Sequence, residues 1–365
     1  MNENADFAHF PLLLTPDNVL EQVLKSMALL DLNKFSLVSK KTESLADIKS
    51  IQFSILSMPR SVLLEILTRM WWMDLLSFTL ASKKTKQFVH AEEFKPTPID
   101  FYVSNKLEVY VTHIRLFSIL NPMDPDTVLR RGQPGFKRKY PKKETLANLF
   151  LLTKQTTVRW LLFEDNFNEN YMNFVFGNVP ICQNVIIFPN VPGSAQKKIL
   201  AQYRNATKQI SLSTPPVECR NELVLRNLEF LSIHSGWVAL EHLLMANSAS
   251  LGLYRLDSEV LNKFLKLWIK KRSSSRLEYL WTDRVGRVVG LKKILAGIDY
   301  KIVSKETIRT FKHSKKAIEG ADWLVMTDTM EVRGGYDFRR RDGTLATITV
   351  RQRDNKRRVE FFVWN

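Results

Sequence analysis

An eight-residue phrase occurs twice in this chain, as FSLVSKKT from Phe35 to Thr42 and as FTLASKKT from Phe78 to Thr85, 43 residues apart. The likeness extends outward. FPLLLTPDNVLEQVLKSMALLDLNKFSLVSKKTESLA, beginning at Phe10, aligns without a gap with FSILSMPRSVLLEILTRMWWMDLLSFTLASKKTKQFV, beginning at Phe53. Pro16/Pro59, Val19/Val62, Leu20/Leu63, Leu24/Leu67, Met27/Met70 and Asp31/Asp74 coincide. A tandem unit of about 40 residues buries little apolar surface by itself, so each copy needs a partner surface.

Each copy opens with a short apolar run ending in proline, which suits a helix start because its missing N–H has no partner there. The stripe Val19, Leu20, Val23, Leu24, Met27, matched by Val62, Leu63, Ile66, Leu67, Met70, puts one apolar face on a helix of about three turns. Asp31 and Asp74 stand where a side-chain oxygen caps a second helix, whose buried face takes Leu32 and Phe35, or Leu75 and Phe78. Ser39 and Ser82 cap a short third helix. Each copy therefore reads as a three-helix unit.

In the proline start, in VLEQVLKSM or VLLEILTRM, and in the FSLVSKKT or FTLASKKT tail, each copy resembles an F-box of the large nematode F-box family. The resemblance implies docking on a Skp-type adaptor and, through it, on a cullin–RING ubiquitin ligase. Carried onto this chain, the adaptor-binding residues are Pro16, Leu20, Leu24, Met58, Pro59, Leu63, Leu67 and Trp71. The family's leucine before the proline is Thr15 in copy one and Met58 in copy two. Copy two also replaces Glu21 with Leu64 and Ala28-Leu29 with Trp71-Trp72, which favours it as the docking copy. The alternative is that these extra apolar residues pack the copies against each other.

Beyond Phe94 the periodicity changes. IDFYVSNKLEVYVT alternates around Ser104-Asn105 and predicts a hairpin over 98–112. A basic loop over 121–143 follows, then a helix in ETLANLFLLTK from Glu144. From 144 to 300 a loose L-x-x-L-x-L pattern recurs with fourth positions at Leu161, Val185, Ile210, Leu231, Tyr254 and Leu280. The intervals of 24, 25, 21, 23 and 26 residues fall in the leucine-rich-repeat range. Helical segments AQKKILAQYRNA, WVALEHLLMANS, EVLNKFLKLWIKK and GLKKILAGI fill the gaps. The repeat is irregular: its lining asparagine occurs only as Asn166 and Asn190, and Thr207 and Thr282 fall on apolar positions. Over 322–365, three strand-like runs joined at Asp342-Gly343 and Asp354-Asn355 predict a β-meander that caps the repeat stack.

HLLMANSASL, LNKFLKLWIKK, LEYLW, LKKILAGI and the ending YDFRRRDGTLATI…FFVWN resemble the nematode type-two F-box-associated domain, most specifically in the C-terminal block. The resemblance implies a substrate-recruiting role for this half. The expected architecture is thus mixed, α+β with an α/β repeat: F-box-like copies at 8–47 and 51–92, then an F-box-associated domain at 94–365, irregularly leucine-rich-repeat-like and ending in the meander.

No catalytic constellation is visible. The six histidines are scattered, His234 and His242 lie eight apart rather than at helical zinc spacing, and GRVVG at 286–290 lacks the end of a phosphate loop. The two cysteines, Cys182 and Cys219, read as small core hydrophobes in a reducing compartment. No cofactor or metal is expected. The N-terminal stretch lacks the pattern of a signal peptide and no apolar run is long enough to span a bilayer, so the expected location is cytoplasm, nucleus or both, with no membrane partner.

The net charge of +17 is spread over patches at 130–143, 269–276, 338–343 and 351–358. An acidic protein target is the partner such a surface favours, and target-binding residues are expected at Arg339, Arg340 and Arg341, joined by Arg351, Arg353, Arg357 and Arg358 into one basic end, and on the strand face around Leu231 and Tyr254. The expected function is a non-catalytic substrate receptor of a ubiquitin ligase. The alternative is a basic nucleic-acid-binding protein, less favoured because the patches lack interleaved aromatics; an enzyme with an unrecognised site ranks last.

Overall fold

The computed structural model describes residues 67, 75, 76, 79, 86, 87, 89, 96–111, 114–119, 142–179, 181–205, 207–271, 276–284, 291–313, 329–353 and 356–364. The chain divides into two units, one of residues 1–97 and 139–155, the other of residues 98–138 and 156–365.

In the first unit Leu67, Leu75, Leu76, Thr79, Lys86, Gln87 and Val89 are helical, and Leu67, Leu75, Leu76 and Val89 are buried. Leu67 was expected on the adaptor-facing stripe. Its side chain is 1% exposed. The other adaptor-facing positions, Pro16, Leu20, Leu24, Met58, Pro59, Leu63 and Trp71, lie outside the described residues, as do 120–141 of the basic loop. Helix α1 (Lys142–Leu152) buries Leu146, Leu149 and Leu152. Just past its end the Thr153 hydroxyl donates to Leu149 O at 2.8 Å, and Thr97 N–H donates to Thr153 O at 3.0 Å. The expectation put this helix at the head of the repeat region; it groups with the N-terminal residues instead.

The second unit is built on one 13-stranded sheet. Its strands are β1 (Ile99–Val103), β2 (Leu107–Val111), β3 (Ile114–Ile119), β4 (Val158–Phe163), β5 (Cys182–Ile187), β6 (Gln209–Leu212), β7 (Phe230–Ile233), β8 (Ser250–Tyr254), β9 (Tyr279–Arg284), β10 (Lys301–Lys312), β11 (Thr329–Arg339), β12 (Leu345–Arg353) and β13 (Lys356–Trp364). Their order across the sheet is β10-β11-β12-β13-β9-β8-β7-β6-β5-β4-β1-β2-β3. The middle, β1 with β4 to β9, is parallel, and antiparallel strands close both ends. Helices α2 (Glu169–Asn178), α3 (Gly193–Gln202), α4 (Arg220–Leu225), α5 (Leu240–Met245) and α6 (Ser258–Ile269) carry the crossovers, and α7 (Leu291–Ile294) follows β9. Runs such as VRWLLF and FLSI are buried along nearly their whole length, the mark of strands covered on both faces. Asp257 caps α6 by accepting from Glu259 N–H at 2.6 Å, and Asn168 caps α2 by accepting from Asn170 N–H at 2.9 Å.

The parallel register aligns Leu161, Val185, Ile210, Leu231, Leu251 and Leu280. Tyr254, expected in this row, stands three residues beyond Leu251: the register sets Leu251 beside Leu231 and Leu280, and places Tyr254 at the strand end beside Asp283. Asn166 and Asn190 do not line the stack; both are exposed, and Asn166 takes a left-handed turn with φ 59°. Thr282 is accommodated in the core because its Oγ1 accepts Leu256 N–H at 3.2 Å. Crossovers α2 and α4 were not foreseen, nor was β10, an edge strand whose two faces are mostly exposed and which therefore has no period-two signature.

Phe361 and Phe362 show how the sheet divides its two faces. Adjacent residues of a strand point to opposite sides. Phe361 meets Phe264 and Trp268 of α6 at centroid distances of 6.4 and 5.2 Å. Phe362 joins a cluster with Phe230, Tyr279, Trp281, Phe311 and Val332 on the face away from that helix.

Candidate functional site

On the face opposite α6, neighbouring strands place small residues side by side: Ser211 of β6 beside Ser232 of β7, Ser232 beside Gly252 of β8, and Gly252 beside Trp281 of β9. Two residues further along, at the carboxyl ends of the parallel strands, stand His234, Tyr254 and Asp283. Large side chains lean over this small-residue floor. His234 Nε2 lies 3.0 Å from Ser211 Oγ and 3.2 Å from Ser232 Oγ. The Tyr254 ring stacks on His234 at 4.2 Å, and Trp281 meets Tyr254 edge-on at 5.1 Å. The Trp281 ring covers Gly252 so closely that a Cβ there would stand 2.5 Å from its Cζ2. Arg358 of β13 places its guanidinium 4.0 Å above Trp281 and forks onto Asp283, with bonds of 2.6 and 3.0 Å. The result is a continuous row of His, Tyr, Trp and Arg at the strand ends, where open α/β sheets characteristically bind ligands.

The electrostatics fix this row as a rigid, largely neutral surface. Burial works against the charge of Arg358, but the hydrogen bonds and charge of Asp283 outweigh it and hold the guanidinium charged. Burial drives the His234 pKa down to about 4, with the Asp283 charge opposing the shift. Since the folded value lies below the unfolded value of about 6.5, the neutral ring's contribution is complete above that pH and is lost as pH falls through the interval toward 4. Lowering the pH from about 6.5 to 5 should therefore cost about 1.5 kcal/mol through this residue. Urea midpoints at the two pH values check this, and His234→Gln should flatten the difference. Ser211 and Ser232 are 3% and 1% exposed, so their contacts with His234 pin the ring and leave no accessible nucleophile.

Of the residues expected to meet a target, Tyr254 belongs to this row. Leu231 does not: it is fully buried in the aligned core row and presents no surface. Arg339, Arg340 and Arg341 sit at the far end of the sheet. Leu345, which pairs with Arg339, also pairs with Trp364 at the end of β13, whereas Arg353 pairs with Lys356 at its start. The two turns are thus separated by the length of β12, roughly 27 Å at the usual strand rise, and do not form one basic end. Arg340 is held by its own turn: its Nε donates to both Asp342 carboxylate oxygens at 3.0 Å, its Nη2 donates to Thr344 Oγ1 at 3.1 Å, and its guanidinium lies 5.1 Å over the Trp268 ring. That hydrogen bond with Arg340, then those with Thr344, hold the Asp342 carboxyl well below its usual range. Arg339 and Arg341 are exposed. In the other patch Arg351 is committed, its Nε 2.7 Å from the Glu360 carboxylate and its guanidinium over Phe362, while Arg357 is exposed.

Sequence reasoning missed Trp281 and Asp283; it weighed His234 only as a zinc ligand and placed Arg358 in a basic end with Arg339 to Arg341, whereas the structure puts both in this row. The one available signal was the alternation of small and large residues in LSIHS, LGLYR and YLWTDR. Cys182 is buried and its thiol is pushed up by burial; burial, then Glu218 and Glu222, raises that of the half-buried Cys219. No group of three or more His, Cys, Asp or Glu side chains suited to a metal ion occurs among the described residues. No described helix is long and apolar enough to cross a membrane.

Compared with known families, residues 16–53 match the F-box domain and residues 220–282 match the F-box associated family. The first match falls on copy one, not on the copy favoured above for docking. The second runs from α4 into β9 and takes in His234, Tyr254 and Trp281; it does not reach the C-terminal block that carries the resemblance most specifically. No curated protein and no solved structure matches the chain.

Proposed function

We propose that this chain is the substrate-recognition subunit of a cullin–RING ubiquitin ligase. The observation that carries the proposal is the presence in one chain of an F-box at 16–53 and an F-box associated segment at 220–282. F-box domains bind Skp-type adaptors, and the adaptor links to a cullin. On this reading Pro16, Leu20 and Leu24 of copy one meet the adaptor, with Met58, Pro59, Leu63 and Trp71 of copy two completing the surface. The buried leucines of copy two, Leu67, Leu75 and Leu76, suit a supporting role for its helices.

The sheet unit captures the target, as a stack of leucine-rich-repeat-like strand–helix units whose strand ends carry the His234–Tyr254–Trp281–Arg358 row. The chain itself supplies no reacting group. It acts by holding a target lysine near the charged ubiquitin carrier, which replaces a bimolecular encounter by a positioned one. Cytoplasm and nucleus, where such ligases act, are its expected locations. The nucleic-acid alternative is weakened by the arginines that pair with carboxylates of this chain, Arg340 with Asp342 and Arg351 with Glu360.

The test is co-purification of the full chain with a Skp-type adaptor. Leu20→Glu, Leu24→Glu and Leu63→Glu together should weaken binding by at least about a hundredfold, since stranding charges in an apolar contact costs several kcal/mol. Leu67 is left intact because its side chain is buried and a charge there would threaten folding. Undiminished binding by the triple variant would overturn the docking model.

A further inference from the structure

Strand β10 ends the sheet. It pairs with β11 on one side, and among the described residues no strand pairs with its other side. Such an edge presents a row of backbone donors and acceptors, and proteins ordinarily keep edges short, polar or covered. Among the described residues β10 is neither short nor covered, and its polar residues are interrupted by exposed isoleucines. It has 12 residues, against six in β3 at the opposite edge. Of the eight large hydrophobic side chains exposed among the described residues, three fall within nine consecutive positions here: Tyr300 at 45%, Ile302 at 69% and Ile308 at 51%. Exposed isoleucines on an edge that no described strand covers work against the protection its lysines give.

The outer half of the strand is held in place. Phe311 is buried against Tyr279 and Phe362. Arg309 forks onto Asp337 at 2.8 and 2.9 Å and lies 4.7 Å over the Trp364 ring. Pairing is continuous from Ile308 to Lys312, and the irregularity between Val303 and Ile308 is taken up opposite Gly334 and Gly335, whose φ angles of 59° and 122° suit glycine. The edge from Ile308 to Lys312 is therefore a preorganised template.

Charge selects the occupant. Lys301, Lys305 and Lys312 are exposed, Glu306 is the strand's one acidic residue, and Arg309 is already paired. A second copy of this edge would set lysines against lysines, and like charges facing each other across a strand pair repel. An acidic strand would meet complementary charge and could cover Ile302 and Ile308 with apolar residues at alternate positions.

We propose that β10 is a β-augmentation site that takes an extended acidic segment of a partner protein as an additional strand, main-chain hydrogen bonds supplying affinity and the lysines and isoleucines supplying selectivity. The inference stands on the sheet edge and holds whether or not the chain serves a ligase.

The test uses the full chain and a fluorescent peptide of alternating glutamate and valine. Binding is read by anisotropy, and its place by amide hydrogen exchange. The expected result is saturable binding with slowed exchange within 301–312. It should weaken at least tenfold for the peptide with lysine in place of glutamate, for the peptide with alternate backbone amides methylated, and for the Lys301→Glu, Lys305→Glu, Lys312→Glu chain. These three substitutions are at exposed positions, and an unchanged circular dichroism spectrum and unfolding midpoint would show that the fold survives them; Ile302→Asp with Ile308→Asp is the second, independent variant. Absence of binding, equal binding of the lysine peptide, or protection elsewhere in the chain would overturn the proposal. So would concentration-dependent dimerisation that protects β10 without peptide, which would make a second copy the occupant.

Discussion

Asp283→Ala should destabilise the sheet unit by about 3–5 kcal/mol, the usual cost of removing one partner from a buried ion pair. Asp283 and Arg358 have side chains only 5% and 14% exposed, and their two hydrogen bonds join β9 to β13 where the antiparallel end of the sheet meets the parallel middle. Without the carboxylate, Arg358 above Trp281 loses both hydrogen bonds of its fork and its strongest charge partner, with the Glu360 charge left as a weaker influence. Urea unfolding followed by tryptophan fluorescence measures the loss. Asp283→Leu combined with Arg358→Met removes both charges, and should recover all but about 1 kcal/mol, because an apolar pair of similar volume often replaces a buried ion pair without loss. A single variant that loses less than about 1 kcal/mol would show that the pair is solvated and contributes little, as surface ion pairs do.

Gly252→Val should cost about 3 kcal/mol, toward the upper end for overpacking a buried position. The reason is steric and local: the added Cβ would stand 2.5 and 2.7 Å from two ring atoms of Trp281. Trp281 is 6% exposed and held between Tyr254 and Arg358, so its ring has little room to withdraw. The same assay reads the effect, and Trp281→Leu in the same chain should offset part of it by vacating the space. If Gly252→Val is neutral, the ring is mobile and the row at the strand ends is not the rigid surface described.

Both effects arise from an arrangement only partly legible in the sequence. The buried strands announced themselves as short apolar runs: Leu161, Val185, Ile210, Leu231 and Leu280 fall in one aligned row. Spacing alone chose Tyr254 where the sheet uses Leu251, since a pattern of leucines and aromatics does not reveal which residue of SLGLY pairs with the neighbouring strand. The helix of α6 was readable from its apolar stripe and its Asp257 cap, whereas α4, six residues long, is too short to show a period. Asp283 and Arg358 stand 75 positions apart and meet because β13 turns back onto β9; no local pattern carries that information. The basic turns misled for the same reason. Arg339 and Arg353 are near in sequence, and it is the extended length of β12 that separates them.

The place of β13 has a consequence for how the molecule is made. The last strand of this chain lies in the interior of the sheet order, between β12 and β9. A chain grows from its N-terminus at about 5–20 residues per second, so β1 to β9 emerge before β10 to β13, with β4 to β9 in spatial order. Until β13 arrives, β9 has an open edge with Tyr279 and Trp281 beside it, and the β10 to β12 layer has nothing to join. The sheet therefore closes only once β13 is available to pair with both neighbours. A chain without β13 would hold two sheet fragments with facing unpaired edges, the kind of exposed template that pairs with other chains and aggregates.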